Sequence, residues 1–246
     1  MFHPDDISAG FVSEPVAAAR YDHASVSVHD VPRLLANQIP SGAFVLDVGC
    51  GTGATIAAYG KHVACKVLGI EPDSTRAEIA RSRGIEVIHG LYLPEVNVQY
   101  GPFDVIVFAD VLEHLSNPAA ILHVARQGLK EKGFILVSVP NVAHWSVRLA
   151  LLFGNFQHDN VGIMDATHLR WFTKQSAITF FERIGFTASC VGSSVNTGLP
   201  AYNRTPIFRR LSLDSRERIL KPFVSVLPGL FGCQHVFLLR PTATKL

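Results

Sequence analysis

Three glycines and two acids at the ends of apolar runs carry the most specific chemistry in this chain. Val45-Leu46-Asp47-Val48-Gly49-Cys50-Gly51-Thr52-Gly53 runs from a buried strand into a glycine turn and then a helix. Residues without a Cβ let the backbone turn tightly and approach a ligand. The helix start adds free N–H groups and partial positive charge, which suit a carboxylate. A dinucleotide fingerprint needs G-x-G-x-x-G. Here the spacing is G-x-G-x-G, followed by Ala54. Asp47 would repel a pyrophosphate and suits a ligand with an amino group. The pattern points to a cofactor carrying an amino acid rather than to NAD, with a plain glycine turn as the alternative. Glu71-Pro72 closes the next apolar run. It lies about twenty residues beyond the glycines, where an acid holds both ribose hydroxyls.

A second group could move a proton. His114, His144 and His168 each follow an apolar run or sit in a polar loop. Histidine can take a hydroxyl proton near neutral pH. The competing reading is a ring that ties a loop to a backbone carbonyl, and for His114 that reading is preferred. His168 ranks ahead of His144 as the candidate base. Asp110, Glu113, His114 and a distant histidine could also ligate a divalent cation. Spacing argues against it, because residues three apart and adjacent need not face one point, and no metal site is assigned. Arg204, Arg209, Arg210, Arg216, Arg218 and Lys221 read as a solvated helical face, or as a site for an anionic substrate group.

The elements that must position these groups alternate. Val28, Val31, Leu34 and Leu35 fall at helical spacing in a lead-in that Pro40-Ser41-Gly42 ends. Short apolar strands are expected at 43–48, 67–70, 86–89, 103–108 and 134–139. Helices are expected at 52–59, after a cap at Asp73 or Ser74, and from Asn117-Pro118 to Leu129. Apolar strands separated by helices predict a parallel sheet covered on both faces, with ligands beyond the carboxyl strand ends. Residues 141–172 read as an insertion. Thr173 caps a helix stopped by Gly185, and strands follow at 186–195 and 235–239. The two late strands flank a second excursion and suggest an antiparallel edge. The fold class is therefore α/β, a Rossmann-like seven-stranded mostly parallel sheet with an antiparallel last strand. It makes one domain over 1–246: lead-in 1–40, cofactor core 41–140, and substrate-side insertions 141–172 and 196–232.

Residues 103–115 read Phe103-Asp104-Val105-Ile106-Val107-Phe108-Ala109-Asp110-Val111-Leu112-Glu113-His114-Leu115. With the loop at 47–53 and Glu71, this string resembles the class I S-adenosylmethionine-dependent methyltransferases over about residues 40–140. The resemblance implies that Asp47, Gly49, Cys50, Gly51 and Gly53 surround the methionine part of S-adenosylmethionine. It implies that Glu71 and Pro72 hold the ribose, and that Ala109, Asp110 and His114 line the methyl side. Such enzymes often place an acid after a glycine at the third strand end, to bind adenine. Here Leu91 follows Gly90, so that contact falls to the backbone near Leu91 and Tyr92. His168, Arg170, Phe172 and Thr173 match an H-x-R-x-F-T string found in a bacterial subgroup that methylates sugars, polysaccharides and other small metabolites. That implies His168 and His144 as the catalytic candidates.

Composition bounds the rest. Hydrophobic residues make up 48% and charged residues 17%, enough to bury a core and unlike a disordered chain. Lys and Arg number 22 against 20 Asp and Glu, too balanced for a duplex nucleic-acid binder. Cys50, Cys65, Cys190 and Cys233 form no CxxC pair, which fits reduced thiols in the cytoplasm. Met1–Asp6, polar and acidic, does not read as a secretory leader, and no apolar run is expected to span a bilayer. The expected function is methyl transfer to oxygen on a small molecule, a sugar or glycan precursor or a secondary metabolite. The alternatives are a cofactor-binding regulatory or assembly protein without catalysis, and a tRNA or protein methyltransferase. The Pro-broken apolar run 222–231 is a candidate lid, homodimer surface or contact for a lipid-linked substrate.

Overall fold

The computed structural model describes residues 30–197, 199, 201–202 and 206–242. The lead-in before residue 30, Val28 included, and Arg204 lie outside the described residues. Helix α1 (Val31–Ala36) leads into β1 (Phe44–Val48), α2 (Ala54–Tyr59), β2 (Lys66–Glu71), α3 (Ser74–Ser82) and β3 (Glu86–His89). Then come α4 (Pro94–Tyr100), β4 (Phe103–Ala109), a single 3₁₀ turn (Leu112–His114), α5 (Pro118–Gln127) and β5 (Leu129–Pro140). Helix α6 (Trp145–Leu152) lies in the first insertion. After it come α7 (Lys174–Arg183), β6 (Phe186–Ser193), the short α8 (Pro206–Arg209), α9 (Leu213–Val226), α10 (Pro228–Phe231) and β7 (Gln234–Pro241).

The seven strands form one sheet in the order β3-β2-β1-β4-β5-β7-β6. Strands β1 to β5 pair in parallel, and β7 runs antiparallel to both β5 and β6. The order reverses between β1 and β4, so the carboxyl ends of those strands flank the crevice where such sheets bind ligands. Alternate residues explain why the sheet is covered twice. Ile106, Phe108, Ile135 and Val137 pack with Ile121, Ala125, Ala177 and Phe181 of α5 and α7. Val105, Val107, Phe134 and Leu136 pack with Leu35, Tyr59, Ala77 and Ala80 of α1, α2 and α3. This period of two gives each strand two buried faces.

Local chemistry ends the helices where expected. Asp73 accepts the Arg76 N–H, Asn117 accepts from Ala120, and Thr173 forms a reciprocal capping box with Ser176. Two features differ from expectation. Leu129 opens β5 instead of closing α5, and β5 begins five residues before the expected Phe134. Helix α4 was not foreseen: only Val96 of its seven residues is buried, so it leaves no helical stripe. The antiparallel edge is as expected: β7, the last strand, runs antiparallel between β5 and the edge strand β6.

The two excursions share a small core of their own. Val147, Ile163, Met164, Tyr202, Leu220, Val224 and Cys233 pack together beside the sheet. Asn141 ties this cap to β7: its amide donates to the carbonyls of Gly229 and Gly232, and its oxygen accepts the Ala143 N–H. Of the basic series, Arg209, Arg210, Arg218 and Lys221 are exposed. Arg216 is buried instead and donates to the carbonyls of Phe208 and Thr197. Phe172 joins the main core, while on the cap surface His158 stacks on Trp171 and Phe156 meets both edge-on. Among the described residues, no helix is long and apolar enough to cross a membrane.

Candidate active site

The tip of β1 carries the glycine loop. Asp47 sits in the central strand, opposite Gly69 of β2 and Val107 of β4. It is buried, and the Tyr59 hydroxyl donates to it at 3.0 Å. Burial raises its pKa to about 7, against the lowering pull of that hydroxyl. Gly49 has φ +70, and a Cβ there would meet Val111 Cγ2 at 2.8 Å. Gly51 has φ +56 with nothing within 4 Å of a built Cβ, so its absent side chain opens space at the loop. Cys50 packs against Gly69, and Gly53 is the left-handed residue that starts α2.

The tip of β2 closes on that loop. Glu71 is buried, with Oε2 accepting the Gly51 N–H at 2.8 Å and Oε1 accepting the Asp73 N–H at 3.0 Å. Burial raises its pKa ahead of every other influence. Each carboxylate oxygen keeps a second lone pair for a ligand hydroxyl. The Pro72 carbonyl lies 3.1 Å from His89 Nε2. Beyond β3, Leu91 is half-buried and Tyr92 is fully buried, its hydroxyl donating to Asn97.

The tip of β4 holds a strained acid. Asp110 follows the half-buried Ala109 and has φ +55, a conformation that costs a non-glycine residue about 1–3 kcal/mol unless its surroundings impose it. Three bonds impose it. Its N–H donates to Ser138 Oγ at 3.0 Å, and that hydroxyl donates to Asp110 Oδ1 at 2.8 Å. Gln234 Nε2 donates to Oδ2 at 2.5 Å. Burial raises the Asp110 pKa, and the two side-chain bonds oppose the rise. Ser138 and Gln234 were missed from sequence. Gln234 left no signal beyond its place before a late apolar strand.

One turn further, Glu113 and His114 meet the cap. The Glu113 carbonyl accepts the N–H groups of Leu169 and Arg170, and the Arg170 guanidinium donates to the carbonyls of Leu115 and Ser116. These bonds bring His168 edge-on to His114, with ring centroids 4.9 Å apart. His168 Nε2 lies 4.0 Å from Glu113 Oε1. His114 Nδ1 meets the Thr167 carbonyl at 3.2 Å, and burial lowers its pKa. Glu113, His114 and His168 thus share one point, while Asp110 is turned to Ser138 and Gln234. His144 stands in another network. It caps α6, accepting the Ser146 N–H, and its Nε2 lies 3.2 Å from the Tyr202 hydroxyl. Burial takes its pKa down to about 4.

The chemistry of these donors decides what fits. Two buried carboxylates beside an open glycine loop suit a ligand with both an ammonium and a diol, and disfavour a pyrophosphate. Residues 19–191 match the family model of the methyltransferase domain. The chain belongs to the methyltransferase domain family. Its fold is the one seen in S-adenosylmethionine-dependent methyltransferases. A ubiquinone biosynthesis O-methyltransferase of Xylella fastidiosa strain 9a5c is 35% identical over 113 residues, 44% of this chain and 46% of that protein. One of Pasteurella multocida strain Pm70 is 25% identical over 171 residues, 59% of this chain and 69% of that protein. The chain spans about half the length of most of the curated relatives it matches. Among solved structures, a methyltransferase of Thermotoga maritima superposes with a TM-score of 0.55 at 16% identity, over 85% of this chain and 86% of that one. That likeness is one of fold.

Proposed function

We propose that this methyltransferase moves the methyl of S-adenosylmethionine to a hydroxyl oxygen of a small molecule, a sugar or glycan precursor or a secondary metabolite. One observation carries the reading: the Glu71 carboxylate holds the Gly51 N–H, so two buried acids border one open loop at the crossover of the sheet. The cofactor supplies a methyl on a positively charged sulfur, which is already electrophilic. Asp47, Gly49, Cys50, Gly51 and Gly53 surround its amino-acid end, and Glu71 with Pro72 holds the sugar. The adenine side falls to the backbone at Leu91. Ala109, Asp110 and His114 line the methyl side, where the locked Asp110 orients the reacting end. Oxygen as the acceptor atom is supported by the O-methyltransferase names of the relatives.

The acceptor hydroxyl must lose a proton as it attacks. We assign its activation to the cluster of Glu113, His114 and His168, one turn beyond Asp110. His144 serves as a positioning residue, since both ring nitrogens face partners in the cap. The two insertions, 141–172 and 196–232, wall the acceptor side of one domain. Four free cysteines support a cytoplasmic setting. The test is transfer of labelled methyl to two arms of acceptors, sugars with nucleotide sugars and phenols. Label is expected in at least one arm, and His168→Ala abolishes it while cofactor binding persists in calorimetry. Cofactor binding with no transfer in either arm would replace this reading with a non-catalytic cofactor-binding role.

A further inference from the structure

Among the described residues, Glu113 is a buried carboxyl whose oxygens have no hydrogen-bond partner. It is 1% exposed, and neither Oε1 nor Oε2 takes part in a hydrogen bond. Ionised, it has only the His168 ring at 4.0 Å, beyond hydrogen-bond reach, to offset its charge; protonated, it lacks an acceptor for its proton. Either state leaves a buried polar group that costs about 1–3 kcal/mol or more. The carboxyls of Asp110 and Asp165 act on it with the same sign of charge. Something positive completes this site.

The two histidines beside it are oriented to supply lone pairs. His114 Nδ1 faces the Thr167 carbonyl at 3.2 Å, and His168 Nδ1 faces the Ile163 carbonyl at 3.1 Å. A carbonyl only accepts, so each Nδ1 carries a proton, and in the neutral ring the lone pair for a metal sits on Nε2. Backbone carbonyls fix metal-binding imidazoles in the same way. The ligand atoms of Glu113, His114 and His168 all lie within 4.8 Å of one another. Two donors on one ion at about 2.0–2.2 Å are about 3.4 Å apart in a tetrahedral site and at most about 4.4 Å apart, so side-chain rotations of about 1 Å gather them. Asp110 is held elsewhere by Ser138 and Gln234, and His168 from the cap takes the third place.

We propose that Glu113, His114 and His168 bind one divalent transition-metal ion. Two imidazole nitrogens and one carboxylate favour zinc and its first-row neighbours over magnesium or calcium, which take oxygen ligands. Three protein donors leave a position open, as in catalytic metal sites. The use of that position rests on the function proposed above: the ion would receive the acceptor oxygen and lower the pKa of its hydroxyl. The hydroxyl proton goes to water. The oxygen pair forms the O–CH3 bond as the S–CH3 bond breaks, its electron pair staying on sulfur. The substrate class is then a hydroxylated molecule whose reacting oxygen can coordinate an ion.

The full chain, stripped with a chelator, is titrated with Co2+ and followed by visible absorption, with Zn2+ in competition. The expected result is one equivalent bound, ligand-field bands, and displacement by Zn2+. Glu113→Gln and His168→Gln should each weaken Co2+ binding at least about tenfold. His62→Gln, at an exposed position, should leave it unchanged. A folded wild-type chain that binds no Co2+, or variants that bind it as wild type does, would overturn the proposal. Where a variant does not fold, the wild-type spectrum alone decides. Calorimetry of S-adenosylmethionine on the same stripped protein separates the two ideas. Cofactor binding without Co2+ binding removes only the metal, and the reverse removes only the methyl-transfer reading.

Discussion

Replacing Gly51 by alanine separates strain in the fold from space for the cofactor. Gly51 has φ +56, where an L-residue costs about 1–2 kcal/mol. Nothing lies within 4 Å of the added Cβ, so no steric term adds to the strain in the free protein. In a domain of this size each kcal/mol moves the thermal midpoint by about 2–4 °C, which gives a fall of about 2–8 °C. Gly84 provides the matched control. Its φ is +80, its Cβ would also meet open space, and it lies outside the glycine loop, between α3 and β3. Gly84→Ala should therefore lower the midpoint by a similar amount and leave cofactor affinity alone. In Gly51→Ala the new methyl occupies space the cofactor's amino-acid end would use. Overpacking of this kind costs about 1–3 kcal/mol, or roughly 5- to 150-fold in Kd. Calorimetry with S-adenosylmethionine and its demethylated product, beside thermal melts of both variants, makes the measurement. If Gly51→Ala binds as wild type while melting like Gly84→Ala, the cofactor does not lie against this loop and the site is misassigned.

Asp47 gives a pH prediction. Its folded pKa, about 7, lies above the unfolded value, so its stabilising contribution is full below the unfolded pKa and is lost as pH rises through about 7. A cofactor ammonium favours the ionised form, so affinity should rise from pH 6 to pH 8, and Asp47→Asn should flatten that rise in calorimetry. Tyr59→Phe removes the hydroxyl bonded to Asp47. A loss of about 1.5–3 kcal/mol in denaturant unfolding is expected, and an unchanged stability would show that the bond is idle. Gln234→Ala leaves Asp110 Oδ2 without its donor. Turnover should fall more than cofactor affinity, which a comparison of kcat with Kd checks.

Much of the candidate site's framework was legible because it is local. The glycine spacing, Asp47 and Glu71 each sit at the end of an apolar run, and a parallel sheet brings such ends to one edge. Caps at Asp73, Asn117 and Thr173 are short-range chemistry and read directly. The start of β5 did not read, because Lys130, Glu131 and Lys132 carry no apolar pattern.

What the sequence by itself determined, then, is the α/β alternation and the acids that stand at the strand ends. Tertiary structure decided their partners. Because β7 runs antiparallel, its first residue, Gln234, arrives at the carboxyl edge and locks Asp110. The carbonyl of Glu113 holds the cap strand at Leu169 and Arg170, and so carries His168 to His114 from 54 positions along the chain. The same fold puts His144 in the cap network, where its ring holds Ser146 and Tyr202. Spacing along a chain fixes which residues share a strand end or a helix face. Which distant side chains then meet depends on strand direction and on where an insertion packs, and neither leaves a mark in local periodicity.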